Sequence, residues 1–182
     1  MVEVFREGET EPTRILIDTA PDLREQLLRA EIGRVDAIIF SHEHADQVGG
    51  LDDVRVLAIR QRAQVPVYMD ARTAGDLTTR FAYCFKGAHG YPPMLALQDF
   101  IVPGRPVSIE GPGGPVEFLP LDQAHGVIRS LGFRIGNLAY CNDVNDLPAP
   151  SLGALTGLDV FVVDALRYTP HPSHANLEQA IS

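Results

Sequence analysis

Apolar runs and amphipathic stretches follow one another through the first half of the chain. The continuous apolar runs predict strands at residues 14–18, 35–40 and 65–68. The stretches with apolar residues at helical spacing predict helices at residues 21–30, 52–60 and 73–81. Glycine and proline mark residues 84–93 as a loop, which we expect to border a pocket.

The second half of the chain is richer in short apolar or alternating runs. These predict strands at residues 116–120, 130–135, 138–141 and 159–164. Gly136-Asn137 is typical of a two-residue hairpin turn, and a helix is predicted after residues 147–150. The last run is apolar enough to predict a strand buried on both faces. Together the elements indicate an α/β fold of helices packed on mixed sheets, in a single domain over residues 1–182.

Composition narrows the classes of function. The chain has 182 residues, 45% of them hydrophobic, and a formal net charge of −9. Nucleic acid is therefore not expected as a partner, because phosphate contacts need clustered lysine and arginine. No apolar segment approaches the roughly 20 residues that span a bilayer, so no membrane association is expected. Two distant cysteines, Cys84 and Cys141, indicate reduced thiols in a cytoplasmic protein.

A metal-binding pattern follows the predicted strand at residues 35–40. The sequence there is Ser-His-Glu-His-Ala-Asp-Gln, with His42, His44 and Asp46 at alternating positions. Two imidazoles and a carboxylate on one short loop can converge on a divalent cation such as zinc, manganese or iron. The pair of histidines alone is equally compatible with a surface or capping role; the carboxylate favours the metal site.

Further candidates stand at the ends of other predicted strands. They are Asp18, His125, Asp143 and His174. Each taken alone is more often structural, since aspartate after a strand is frequently a turn or cap residue. Their shared placement at strand ends indicates one functional edge. For Asp18, a strand-end cap and a role in orienting a ligand histidine are both open.

These motifs resemble the phosphodiesterase branch of the metallo-β-lactamase superfamily over nearly the whole chain. The matching segments are residues 16–27, the loop from His42 with residues 50–55, and the stretches 123–126, 140–143 and 172–174. The branch includes the phosphoribosyl cyclic phosphate phosphodiesterases and, more distantly, the tRNA 3′-end-processing ribonucleases. The resemblance implies an αββα sandwich of mixed sheets flanked by helices, incomplete at its N- and C-terminal ends.

The resemblance also implies roles for individual residues. His42, His44 and His125 match the ligands of a first metal, and Asp46 and Asp143 match ligands of a second, with Asp143 bridging. Asp46 would in addition orient the attacking water, and His174 matches the catalytic proton donor. Zinc or manganese is the implied cofactor, and a small or cyclic phosphodiester is the implied substrate.

Three departures from the family pattern are visible. Gln47 stands where the family has a histidine ligand of the second metal, and its amide oxygen is a poor zinc ligand, so a weak or empty second site is expected. A further family histidine lies beyond the helix expected to begin at Ala175, past the last residue given. Residues 1–13 match poorly and are too short and polar to replace the family's opening strands. We expect the open sheet edges to favour a homo-oligomer.

The sequence thus predicts a metal-dependent hydrolase, most simply a phosphodiesterase whose activity is reduced by Gln47 and by the missing ligand. The alternative is a degenerate member that binds a metal or a phosphate group without significant catalysis. Fold class alone does not fix the substrate.

Overall fold

The computed structural model describes residues 1–181, which fall into two compact units. The first unit contains Met1–Ile101 together with Ile109–Val116. The second contains Val102–Ser108 and the chain from Glu117 onward. Each unit is built on its own five-stranded mixed sheet with helices beside it, which confirms the predicted α/β class.

The sheet of the first unit carries its strands in chain order. They are β1 (Val2–Val4), β2 (Thr13–Ile17), β3 (Ala37–Ile39), β4 (Val65–Tyr68) and β5 (Leu95–Leu97). The β1 strand is antiparallel to β2, whereas the pairs from β2 to β5 are all parallel. Carboxyl ends of parallel strands meet at one edge of a sheet, which is where loops with functional side chains collect.

The helices of the first unit cover apolar side chains of this sheet. They are α1 (Leu23–Arg29), α2 (Ala45–Val48), α3 (Val54–Gln61), which a 3₁₀ turn at Leu51–Asp53 precedes, α4 (Ala71–Arg80) and α5 (Ala82–Lys86). Ile38 and Phe40 are fully buried in the resulting core beside Leu51 and Leu77. Because Phe40 is locked in this core, the loop that begins at Ser41 starts from a fixed point.

The sheet of the second unit has the order β10, β9, β8, β7, β6. Its strands are β6 (Val107–Ile109), β7 (Val116–His125), β8 (Ile128–Ile135), β9 (Leu138–Cys141) and β10 (Val160–Val163); its helices are α6 (Ala149–Gly153) and α7 (Leu177–Ile181). The β7, β8 and β9 strands form an antiparallel meander, and β10 joins β9 in parallel. The β7 strand is long because residues 119–125 all pair with β8, which carries His125 to the strand end.

Most of the predicted elements are confirmed within two or three residues. The predicted loop at residues 84–93 is only partly one, because α5 runs to Lys86 and a bridge between Ala88 and Tyr91 closes a turn. Sequence patterns missed three strands, β1, β5 and β6. Each has three residues, too short a run for an alternation to be recognised.

One prediction about burial is wrong. The strand at residues 159–164 forms as β10, but Val160, Phe161 and Val162 are 48%, 40% and 45% exposed. The strand lies at an edge of its sheet and pairs only with β9 among the described residues. Apolar β-branched residues therefore indicated the strand correctly, but burial depends on what covers the sheet, which a local pattern does not report.

Cys84 and Cys141 are both free and buried. Burial raises the pKa of the Cys84 thiol to about 11 and that of Cys141 to about 12. Among the residues described, no helix is long and apolar enough to cross a membrane.

Gly50 fixes the return of the loop that follows β3. Its N–H donates to the Thr19 carbonyl over 2.9 Å, and Thr19 N–H donates to the Gln47 carbonyl over 2.7 Å. A Cβ at Gly50 would lie 2.2 Å from the Ala20 carbonyl oxygen and 2.8 Å from Leu23 Cβ. Only glycine allows this approach of two backbone segments.

Replacing Gly50→Ala should therefore lower the free energy of unfolding by about 1–3 kcal/mol, because a backbone atom must move. Gly75→Ala is the matched control: it lies within α4, and a Cβ there meets nothing within 4 Å. That change should stabilise by about 0.5–1 kcal/mol. Chemical denaturation of both variants measures the difference, and equal midpoints would contradict the close approach.

Candidate functional site

The first unit contributes a loop that follows the parallel strand β3. His42 is fully buried, whereas His44 and Asp46 are exposed. The rings of His42 and His44 lie edge to face with centroids 4.6 Å apart, so this part of the prediction, that the pair converges, holds in the structure. Asp46 lies in the first turn of α2 and accepts a hydrogen bond from Gln47 Nε2 over 3.2 Å.

Asp18, at the end of β2, orients this loop through Ser41. One carboxylate oxygen accepts from Ser41 N–H and the other from Ser41 Oγ, both over 2.8 Å. Ser41 Oγ also lies 2.9 Å from His42 Nδ1. Because the Ser41 proton goes to the carboxylate, Oγ accepts from Nδ1–H, which places the ring lone pair of His42 on Nε2. Of the two roles left open for Asp18, this geometry favours orienting the ring of His42.

The backbone of Asp18 is unusual as well. Its φ is +60°, a left-handed conformation that costs energy for a residue with a side chain. Asp18 N–H donates to the Ile39 carbonyl over 2.9 Å, which continues the pairing of β2 with β3 beyond the strand end. The conformation therefore turns the carboxylate toward Ser41 while the backbone stays bonded to the sheet.

Two arginines of α4 hold the outer side of the same loop. Arg72 forms an ion pair with the Glu43 carboxylate, and Arg80 Nη1 donates to the Glu43 carbonyl over 2.8 Å. Sequence analysis missed these contacts. Glu43 lies between the two histidines, where alternation alone indicates that its side chain faces away from them.

The second unit contributes a separate group of strand-end residues. His125 ends β7 and is buried, and its Nδ1 lies 2.7 Å from the Ser173 carbonyl oxygen. A carbonyl only accepts, so Nδ1 carries the proton and Nε2 offers the lone pair that a metal requires. Asp143, just after β9, has a φ of +46° and is also left-handed.

His174 lies against two carboxylates of this unit. Its Nδ1 is 2.6 Å from Asp164 Oδ2 and 3.6 Å from Asp143 Oδ1, and its ring centroid is 4.8 Å from that of His125. Ligand atoms of Asp143, Asp164 and His174 lie within 4.8 Å of one another. The predicted candidates of this unit, His125, Asp143 and His174, are thus brought together.

Asp164 is the residue that sequence analysis missed in this group. It directly follows β10, and the rule that selected Asp143, a carboxylate just after an apolar strand, applies to it equally. Asp164 Oδ2 accepts from His174 Nδ1–H and fixes which ring nitrogen keeps the lone pair.

Comparison with known proteins matches residues 13–182 to the family described as "Beta-lactamase superfamily domain". A solved structure described as a new diphosphatase from the PhnP family is 36% identical over 92% of this chain and 62% of its own, with a TM-score of 0.80. The metallo-β-lactamase fold protein YhfI from Bacillus subtilis is 17% identical, with a TM-score of 0.67 over 91% of this chain and 66% of its own, which shows the fold alone.

A curated relative is much longer than this chain. It is named octanoyltransferase, from Porphyromonas gingivalis (strain ATCC BAA-308 / W83), and is 36% identical over 171 residues. The match takes in 92% of this chain but 33% of that protein. The activity in its name belongs to the whole protein, of which the chain spans one third.

The relay from Asp18 through Ser41 to His42 can be tested with Asp18→Asn. Asparagine tolerates a positive φ and can still accept from Ser41 N–H, but its NH₂ would donate to Ser41 Oγ. The hydroxyl proton would then point at His42 Nδ1 and favour the tautomer with a proton on Nε2. We expect metal affinity to fall about 10–100-fold, measured by competition with a chelating dye.

Asp70→Asn is the control for this change. Asp70 caps α4 by accepting from Thr73 N–H, and asparagine caps helices equally well. The control removes the same charge from the same unit and should leave metal affinity unaltered. Asp18→Asn protein with the affinity of the unaltered chain would show that Ser41 does not set the tautomer.

Proposed function

This chain belongs to the metallo-β-lactamase superfamily, in its phosphodiesterase branch, and on that premise we propose that it hydrolyses a small or cyclic phosphodiester. Metal-dependent hydrolysis is the activity of the superfamily. The observation that carries the narrower proposal is the pairing of His174 with Asp164, which equips an imidazole for proton transfer to a leaving group. The 36% identity to a protein described as a diphosphatase supports phosphorus chemistry in the same direction.

We propose that His42, His44 and His125 would hold a first divalent metal, and that Asp46 and Asp143 would hold a second. The donor chemistry fits, because imidazole and carboxylate together suit zinc or manganese. His42 and His125 each have Nδ1 engaged by an oxygen of the protein, so Nε2 offers the lone pair. A metal bound there would supply a water of lowered pKa and polarise the phosphoryl oxygens.

His174 would then protonate the departing alkoxide. The Asp164 carboxylate holds Nδ1, so Nε2 is the nitrogen that exchanges the proton, and a carboxylate beside the ring stabilises the imidazolium before transfer. Asp164 acts through His174 and is a positioning residue. Asp46 would orient the attacking water from the exposed start of α2.

The acyl chemistry in the name of the long relative is a second substrate class to test. The chain spans one third of that protein, and the metallo-β-lactamase scaffold is not restricted to phosphorus. An octanoyl thioester therefore belongs in the same substrate panel as the diesters.

Self-association through open sheet edges remains a prediction for the whole chain.

The test is turnover by protein stripped of metal and reloaded with zinc or manganese. We expect the loaded protein to hydrolyse bis(p-nitrophenyl) phosphate and an alkyl phosphodiester, and the stripped protein to hydrolyse neither. Hydrolysis of the octanoyl thioester alone would contradict the phosphodiester proposal. Metal binding without any turnover would favour the degenerate binding protein.

His174→Ala separates proton donation from metal binding in the same assay. An alkoxide leaving group needs a proton whereas p-nitrophenolate leaves without one, so the variant should lose about 10²–10⁴-fold in kcat on the alkyl diester only. Asp164→Asn should show the same selectivity at smaller magnitude. Asp122→Asn, which removes a surface ion pair with Arg129, is the control and should change neither rate. Equal losses on both substrates would exclude His174 as the proton donor.

Gln47→His tests why the second metal site is expected to be weak. The change replaces a side-chain amide, which now donates a hydrogen bond to Asp46, by an imidazole at the family's ligand position. The metal content measured by elemental analysis should rise from about one to about two metals per chain, because imidazole binds zinc far better than an amide oxygen does. Gln26→His, on exposed α1, adds the same imidazole elsewhere and should leave the content unchanged. No rise in the metal content of Gln47→His would show that Gln47 does not limit the second site.

A further inference from the structure

We propose that a cavity beside α3, in the first unit, binds a small organic anion with an aliphatic body, such as a medium-chain carboxylate. The cavity has a volume of about 410 Å³ and lies between α3 and residues 91–94. Small-molecule sites typically have volumes of roughly 300–1,000 Å³, mostly apolar walls and a few placed polar groups. None of the candidate metal ligands lines this cavity, so the proposal stands apart from the hydrolytic function.

The walls of the cavity are apolar. Ala58 and Ile59 contribute from α3, and Pro92, Pro93 and Met94 contribute from the opposite side. Met94 is buried, whereas Ile59 is 68% exposed, so the side chains grade from core to opening. The two prolines restrict their backbone, which keeps this wall in place without a ligand.

Two arginines stand at the rim. Arg55 lies in the first turn of α3, and Arg62 is the left-handed residue that directly follows the helix; both line the cavity. Neither side chain forms an ion pair with any residue that the structure describes. The whole chain has 15 cationic and 24 acidic residues, and its net charge repels anions. Two guanidinium groups that form no ion pair among the described residues therefore favour an anion at this apolar opening.

The composition of α3 supports an occupant on this side. Val54, Leu57 and Ala58 are buried, yet Ile59, which lines the cavity, is 68% exposed. A surface helix usually has a polar outer face. The exposure of Ile59 has a simple cause if this side chain packs against an aliphatic ligand. The concave shape, rather than a flat patch, favours a small molecule over a protein partner.

The experiment titrates the full chain with octanoate, 1-octanol and octylamine, which share an apolar tail and differ in head group. Octanoate should bind about tenfold more tightly than either analogue, since only it can pair with the guanidinium groups. NMR amide shifts on octanoate addition should be largest around Ala58, Ile59 and Ala63, which localises the ligand at the cavity.

Arg55→Gln/Arg62→Gln should weaken octanoate binding about tenfold and leave 1-octanol unchanged, because only the charge contact is removed. Arg24→Gln/Arg60→Gln is the matched control: those arginines line a groove on the other side of α3 and carry the same total charge. It should leave octanoate affinity within about twofold, since distant surface charges are screened.

Three results would overturn the proposal. The first is octanoate binding that does not approach saturation by about 10 mM. The second is equal weakening by both double variants, which would indicate a response to net charge. The third is NMR shifts confined to residues away from α3. Thermal unfolding of all variants excludes loss of fold as the cause of weak binding.

Discussion

The parallel pairing of β2 with β3 is the constraint on which the first half of the candidate site depends. It brings the ends of two strands side by side, so that Asp18 N–H reaches the Ile39 carbonyl and the Asp18 carboxylate reaches Ser41. The left-handed backbone at Asp18 costs of order 1–3 kcal/mol and is tolerated because these hydrogen bonds hold it. The tautomer of the buried His42 is thereby set by a carboxylate at the end of the neighbouring strand, acting through Ser41.

The sequence identified the fold class and nearly all longer elements, because periodicity and glycine or proline boundaries are local signals. It also selected His42, His44, His125, Asp143 and His174 as candidates, because each follows or ends a recognisable strand. The hydrogen bonds that connect Asp18 to His42 through Ser41 could not be predicted from the sequence, because Asp18 and Ser41 are 23 positions apart and become neighbours only in the folded sheet. The exposure of β10 could not be predicted from the sequence for a related reason: the burial of a strand depends on what packs against its sheet.

Asp164 shows where a local rule was applied too narrowly. Asp143 and Asp164 each follow one of two parallel neighbours, β9 and β10, so both carboxylates emerge at the same sheet edge. His174 Nδ1 lies nearer Asp164, at 2.6 Å, than Asp143, at 3.6 Å. A ring nitrogen has one proton to give, and the shorter contact claims it. The shorter contact assigns Asp164 to His174, whereas the role proposed above for Asp143 is that of a metal ligand, so two chemically identical carboxylates would have different roles.

Gln47 affects the first unit's loop in a second way, besides placing an amide where the family has an imidazole. Its Nε2 donates to Asp46 Oδ2, so the amide occupies an oxygen that the second metal would use. The backbone carbonyl of Gln47 meanwhile accepts from Thr19 N–H over 2.7 Å, which holds this turn of α2 against the end of β2. The competition for Asp46 and the poor donor strength of an amide oxygen are two separate reasons why the proposed second metal site would be weak.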